Sequence, residues 1–356
     1  MDIQQLRAIS NNFTQELHNA YDGKKTSLGF IVHQLPSFPI VEDCEVFQSI
    51  VIGGTVGRIA TLKKNGKEIQ ILDKKVKQLS FRTGEEFLDF INRNLSENIN
   101  VLALNFAYRL KPFFENGRLD GVLLGVGKEG NLDSLIGKQI GKEIESYMFK
   151  KRNKKIKVAV ANDAVCLILS GLANHKCQNL VAGIVGTGIN FALFIDQNHL
   201  VNLESSSFDK FIQSKEGKIV DQDSNRPKRS IFEKETAGAY LYKHFNLMLK
   251  ENSIHYPALA STEDLNRISH ASIPRILKIA QNLLKRSAQL VACQIAGITN
   301  FKKTDITFIM EGSLFWKGNN YKETIVKTVR QLVPEYKINF VEIENSAILG
   351  AAKLVS

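Results

Sequence analysis

The chain has 356 residues, of which 44% are apolar and 23% charged, and its 47 basic and 36 acidic side chains leave a formal net charge of +11. These values exclude a disordered or collagen-like chain and allow a sizeable core in one large domain or two ordinary ones. No apolar run reaches the length of a membrane span, because the most apolar stretch, 180–195, is broken by glycines, Thr187 and Asn190. Met1-Asp2-Ile3-Gln4-Gln5 lacks the basic-then-apolar pattern of a signal peptide, so the expected location is cytoplasmic. The lysines are scattered. Their densest run, Lys150-Lys151-Arg152-Asn153-Lys154-Lys155, reads as a solvated turn, and no nucleic-acid signature accompanies it, so no nucleic-acid partner is expected. Cys44, Cys166, Cys177 and Cys293 form no CxxC pair, and the seven histidines form no HExxH. Free thiols and no histidine metal site follow.

In chain order, Leu6, Ile9, Phe13 and Leu17 share one helical face and predict an opening amphipathic helix. A loop carries Leu35-Pro36-Ser37-Phe38-Pro39. Ser49-Ile50-Val51-Ile52 reads as a buried strand, Gly53-Gly54-Thr55 as a tight turn, and Arg58-Ile59-Ala60-Thr61-Leu62 as the returning strand. Asn65-Gly66 signals a further hairpin. Thr83 and Glu86 stand at capping-box spacing for a helix over 83–95. Strands are expected at 100–104 and 157–161, with a helix over 132–149 between them. The second half predicts a long helix over 274–296 behind Ser272 and Pro274, a strand over 305–310, a helix over 321–333, a strand over 337–343 and a closing helix over 346–354. The alternation argues for an α/β protein.

The apolar strand, Gly/Thr turn and apolar strand at 50–62 are echoed at 182–195, where the turn is Gly186-Thr187-Gly188. Such turns let backbone N–H groups approach phosphate oxygens, and a threonine hydroxyl adds a donor. A simple hairpin explains one of them; two, each between apolar strands, make nucleotide binding competitive. There is no GxxxxGK[ST], and no GxGxxG opens a helix. Asn162-Asp163 ends a predicted strand, where a carboxylate serves either as a general base or as a helix N-cap. Glu204 and Glu233 are isolated acids that by themselves read as surface or capping carboxylates.

Together these residues resemble the hexokinase and glucokinase family, nearly end to end. Leu35-Pro36-Ser37-Phe38 is similar to its N-terminal loop, Gly53-Gly54-Thr55 with Arg58 to its first phosphate motif, and Gly186-Thr187-Gly188 to its second. Asn162-Asp163 falls at the family's Asn-Asp pair. Glu204, Ser207-Phe208-Asp209, the run 224–227, Phe232-Glu233-Lys234 and Gly238-Ala239-Tyr240-Leu241 keep the family's order. Gly312-Ser313 resembles its adenosine motif. The resemblance implies an α/β fold of two actin-like (ribonuclease H-like) lobes, small and large, around a deep cleft. The small lobe would hold 42–163 with 343–356, and the large lobe 1–41 with 164–342.

The resemblance further implies ATP-dependent phosphorylation of a hexose, glucose first, at its 6-hydroxyl, with Mg²⁺ as the accompanying ion. Asp163 would take the hydroxyl proton. Lys128, Asn162, Asn190, Glu204 and Glu233 would hold sugar hydroxyls, with Lys128 also in the catalytic set. Gly53, Gly54, Thr55, Arg58, Gly186, Thr187, Gly188, Gly312 and Ser313 would hold the nucleotide. The departures are specific. The family's metal-placing Asp is Val51 here, its Asn after the first motif is Val56, and its sugar-loop Ser-x-Pro is Ala107-Tyr108-Arg109. The Thr before Lys128 is Gly127, and the Asp before Gly312 is Glu311. Val51 assigns no metal ligand and gives the alternative reading: a weak or inactive sugar-binding regulator.

Overall fold

A computed structural model of the chain describes residues 1–53, 56–125, 132–268 and 273–356. The predicted opening helix is α1 (Ile3–Tyr21), and Leu6, Ile9, Phe13 and Leu17 are all buried. A capping box starts it: Gln5 N donates to Asp2 Oδ1 (2.8 Å) and Asp2 N to Gln5 Oε1 (3.2 Å). A short strand without a sequence signal, β1 (Ile31–Gln34), follows. Then come β2 (Val46–Ile52), β3 (Val56–Asn65) and β4 (Glu68–Gln78), the last two joined at Asn65-Gly66. Helix α2 (Gly84–Asn94) is capped by Thr83, whose Oγ1 accepts from Glu86 N at 3.1 Å. Strand β5 (Val101–Phe106) leads to the hairpin of β6 (Arg109–Glu115) and β7 (Arg118–Gly125), which turns at Asn116-Gly117.

The helix expected over 132–149 starts later. Residues 133–135 form one 3₁₀ turn, Gly137 adopts φ +80°, and the helix proper is α3 (Ile140–Arg152). A left-handed residue cannot continue a right-handed helix. Next come β8 (Lys157–Ala161), α4 (Asp163–Ser170), β9 (Leu180–Val185), β10 (Ile189–Phe194) and β11 (His199–Asn202). A helical stretch holds α5 (Lys215–Gln222), α6 (Ile231–Thr236), α7 (Gly238–Glu251), α8 (Thr262–Ile268) and α9 (Pro274–Lys302). Ser272, the expected start signal of α9, lies outside the described residues, and the helix runs on past 296 to Lys302. The chain closes with β12 (Ile306–Glu311), α10 (Ser313–Lys317), α11 (Tyr321–Leu332), β13 (Ile338–Val341) and α12 (Ser346–Ala352).

The fold is mixed α/β, as the alternation of elements predicts. One sheet has the order β4-β3-β2-β5-β8, and the other β1-β11-β10-β9-β12-β13. Counted from β2 and from β9, both read 3-2-1-4-5, with β1 added at one edge. β2 pairs antiparallel with β3 and parallel with β5, which pairs parallel with β8. In the other sheet β12 and β13 are parallel. The weak internal echo in the sequence is therefore a shared strand order.

Contacts divide the chain into two units: Met1–Phe30, Gly183–Phe191 and Leu203–Glu342; and Ile31–Ala182, Ala192–Asn202 and Ile343–Ser356. In the first, α1 meets α9 closely enough that a Cβ on Gly297 would stand 2.9 Å from Phe13 Cδ1. Phe13, Phe208 and Phe232 stack edge to face behind this contact, with centroids 5.0 and 5.7 Å apart. In the second unit, Ile50, Ile52, Leu102, Leu104 and Phe106 on one sheet face form a core with Phe87, Ile91, Ile140 and Ile144 of α2 and α3. The opposite face receives α12: Ser49 Oγ donates to Ile348 O at 3.2 Å and Asn105 Nδ2 to Ala347 O at 3.3 Å.

His33 of β1 is 2% exposed, and burial holds its imidazole down at about 4. The unfolded chain binds this proton at its ordinary value near 6.5, so between these values the unfolded state carries more protons. Stability from neutral His33 is present above pH 6.5 and is lost as the pH falls towards 4, by about 3 kcal/mol in total. Urea titrations across that window are expected to show the loss, and His33→Gln to flatten it.

Candidate active site

Strand β8 is buried from Val158 onward and delivers Asn162 and Asp163 at its C-terminal end, where α4 begins. The cap of α4 is Asn162: its Oδ1 accepts from Ala164 N at 3.0 Å, and Asp163 is the first helical residue. Asp163 Oδ1 also accepts from Ala164 N, at 2.8 Å. The capping role is thus shared, and Asp163 is half-buried in the first turn of α4. Asn162 is 7% exposed and further tied: Asn202 Nδ2 donates to its Oδ1 at 3.3 Å, and its own Nδ2 reaches Tyr108 O at 3.5 Å. A carboxylate on a fixed backbone, beside an amide whose orientation is set, can accept a proton from a bound hydroxyl.

In the same unit, β2 is followed by Gly53, whose N–H donates to Val56 O at 3.2 Å. Gly54, Thr55 and Lys128 lie outside the described residues. Val51 is 4% exposed and pairs across the sheet with Arg58 on β3 and Asn105 on β5. Asn105 Oδ1 is buried without a hydrogen-bond partner. One amide oxygen beside a valine is no cation site, and no cluster of three His, Cys, Asp or Glu side chains that could hold a metal ion occurs among the described residues. Among the described residues, the side chains beside this turn do not fit a protein-held divalent ion.

In the other unit, Asn190 Oδ1 accepts from Phe191 N (2.8 Å) and Ser205 N (3.3 Å), which sets Asn190 beside Glu204. Glu204 has a left-handed backbone, φ +48° and ψ 45°, which costs a non-glycine residue about 1 kcal/mol. Glu233, in the first turn of α6, accepts from Ile189 N at 3.3 Å, and a Cβ on Gly188 would stand 2.8 Å from its Oε2. Asn190 and Glu233 therefore meet at the 186–190 turn, and the backbone of Glu204 lies next to the Ser205 N–H that Asn190 accepts. Their oxygens are acceptors suited to a neutral polyol.

The same turn is a backbone junction. Gly186 N donates to Gly188 O (3.0 Å), and Gly238 N, opening α7, donates to Gly186 O (2.8 Å). A Cβ on Gly186 would stand 3.2 Å from Gly312 Cα, and one on Gly238 would stand 2.9 Å from Gly186 O. Gly312 has φ +120°, and its Cβ would stand 2.2 Å from Val185 O. Thr187 and Ser313 are exposed at this junction. Three backbones meeting without side chains, with two hydroxyls at the rim, form a cradle that added Cβ atoms would fill. It fits the phosphates of a nucleotide.

Sequence reasoning gave Gly238 no part in this junction. It also missed two ion pairs made by the residues that follow Glu233, the buried Asp221–Lys234 and the partly buried Glu235–Arg286. Their one sequence signal is the run Glu233-Lys234-Glu235 within a short apolar segment.

The family profile described as Hexokinase matches residues 180–267 and 251–356, a span that includes the glycine junction, Glu204 and Glu233. The chain belongs to the hexokinase family. The hexokinase of Emericella nidulans is 24% identical over an alignment covering all of this chain and 88% of that protein. Hexokinase-1 of Saccharomyces cerevisiae is 22% identical, with 100% and 89% covered. Among solved structures, Schistosoma mansoni hexokinase complexed with glucose superposes with a TM-score of 0.79 at 18% identity, covering all of this chain and 95% of that one. The fold of this hexokinase-family chain is thus the actin-like ATPase fold. The general chemistry that the family brings is phosphoryl transfer to a sugar. No helix among the described residues is long and apolar enough to cross a membrane.

Proposed function

We propose that the protein is an ATP-dependent hexose kinase that phosphorylates the 6-hydroxyl of a hexose, with glucose first among candidate substrates, in the cytoplasm. The observation that carries this reading is the fixed Asn162-Asp163 pair at the β8–α4 junction. Asp163 takes the proton of the attacking hydroxyl. Asn162, Asn190, Glu204 and Glu233 hold sugar hydroxyls, and Lys128 joins them as a catalytic and substrate-holding cation. Gly53, Gly54, Thr55, Arg58 and the Gly186-Thr187-Gly188, Gly312 and Ser313 junction hold the nucleotide. Phosphoryl transfer asks the protein chiefly for positioning and charge stabilisation, which rigid turns and capped helix starts supply. The working lobes are 42–163 with 343–356, and 1–41 with 164–342.

Mg²⁺ accompanies the nucleotide rather than a carboxylate at position 51. Val51→Asp is expected to raise turnover at saturating Mg²⁺. Arg58 stands opposite on β3, so the new carboxylate has a cation across the strand pair. A loss of stability with no gain in rate would show that position 51 does not reach the metal.

The test of the reading is ADP release by the purified protein with Mg·ATP and a panel of hexoses. Sugar-dependent release supports the kinase and names its substrate. Sugar binding by calorimetry without release overturns it and leaves a hexokinase-like sugar binder.

A further inference from the structure

Helix α6 has only six residues and no side-chain cap at Ser230, so it cannot hold its shape by local propensity. It nevertheless presents three successive charged residues. Glu233 faces the 186–190 turn. Lys234 is 3% exposed and donates from Nζ to Asp221 Oδ1 of α5 at 2.5 Å. Glu235 is also 3% exposed, and its Oε1 accepts from Arg286 of α9 at 2.8 and 3.1 Å.

The Asp221–Lys234 pair does more than neutralise two buried charges. Both Asp221 carboxylate oxygens accept from Lys228 N, at 3.1 and 3.0 Å, and Lys234 Nζ also donates to Arg226 O at 2.7 Å. The pair thus grips the backbone of the loop entering α6 at two points. That loop contains two left-handed non-glycine residues, Lys228 at φ +65° and Ser230 at φ +49°. Such residues persist only where their surroundings hold them. His244 of α7 fixes the far side, with Nε2 2.8 Å from Lys234 O.

We propose that Asp221 and Lys234 are positioning residues for Glu233, clamping the 224–230 loop so that the Glu233 carboxylate is delivered to the sugar in one geometry. The proposal rests on the reading of Glu233 as a sugar contact. If the pair served stability alone, an apolar pair of similar volume would replace it without consequence for the site.

The experiment is the double variant Asp221→Leu/Lys234→Met, which keeps the packing and removes both grips. The KM for the sugar is expected to rise about ten-fold or more, the scale of losing hydrogen bonds to charged groups. The KM for the nucleotide should stay within about two-fold, since the glycine junction is untouched. Amide exchange across 224–230 should accelerate. Glu233→Gln should raise the sugar KM in the parent and add little in the double variant, because the carboxylate is already displaced there.

A sugar KM unchanged within about two-fold in the folded double variant overturns the proposal. So do fully additive effects. If Glu233→Gln leaves the parent's sugar KM unchanged, the assignment of Glu233 as a sugar contact fails instead. Should the double variant not fold, Asp221→Asn/Lys234→Met keeps a neutral side chain beside Lys228 N–H and removes the Lys234 grip on Arg226 O. A rise in its sugar KM with the nucleotide KM unchanged supports the clamp, and an unchanged sugar KM overturns it.

Discussion

Asp163→Ala is expected to lower the rate of sugar phosphorylation by about 10²- to 10⁴-fold, the usual contribution of a positioned general base. The fold should survive. The cap of α4 rests on Asn162 as well as Asp163, since both side chains accept from Ala164 N. The seven residues of α4 after Asp163 are all buried, so packing rather than the carboxylate holds the helix. The stability loss is therefore expected at the low end for a helix cap, about 0.5 kcal/mol. Comparing kcat with the melting temperature separates the two roles. A rate near that of the parent would remove Asp163 as the base, and a collapsed melting temperature with intact rate per folded molecule would return it to capping alone. Asp163→Asn is the companion variant: it preserves the acceptor oxygen for Ala164 N and removes the basicity, so it should be nearly as slow and no less stable.

Gly312→Ala carries the second large effect. Two costs coincide there. The residue sits at φ +120°, a region that L side chains rarely occupy, and the new Cβ would press to 2.2 Å from Val185 O and 2.8 Å from Gly186 N. Strain and overpacking each cost about 1–3 kcal/mol. The contacted atoms are backbone, which cannot rotate away as a side chain can. A fall in melting temperature of roughly 5–10 °C is expected. Because the displaced segment is the 186–188 turn, the KM for the nucleotide should rise more than that for the sugar. Gly117→Ala is the control. It has φ +73° in the β6–β7 turn, with nothing within 4 Å of its added Cβ. It should cost only the conformational strain, about 1 kcal/mol, and leave both KM values alone. Equal behaviour of the two variants would show that close backbone approach at Gly312 does not matter.

Much of the fold and of the candidate site was legible in the sequence because the features are local. The Gly-Thr-Gly turn between two apolar strands, the Asn-Asp pair at a strand end and the Thr83 cap of α2 are each set by neighbours a few residues away. Where local signals are weak, reading failed. β1 has four residues and exists because β11 pairs with it, from Ile31 opposite Asn202 to Gln34 opposite His199. The delayed start of α3 turned on one glycine's backbone sign, at Gly137.

The sequence by itself determined the α/β class and the strands that lead into the two glycine turns, and it supplied the acids and amides proposed as sugar contacts. It could do so because hydrophobic period and turn chemistry act over short stretches of chain. Only the tertiary structure decided which of those groups are brought together: Glu233 on Ile189 N, Asn190 on Ser205 N, and Gly186, Gly238 and Gly312 at one junction. It alone decided that Lys234 and Asp221, which a sequence reader would leave in solvent, are buried as a pair. The physical reason is that a buried charge requires a partner, and the choice of partner depends on how helices far apart in the chain pack.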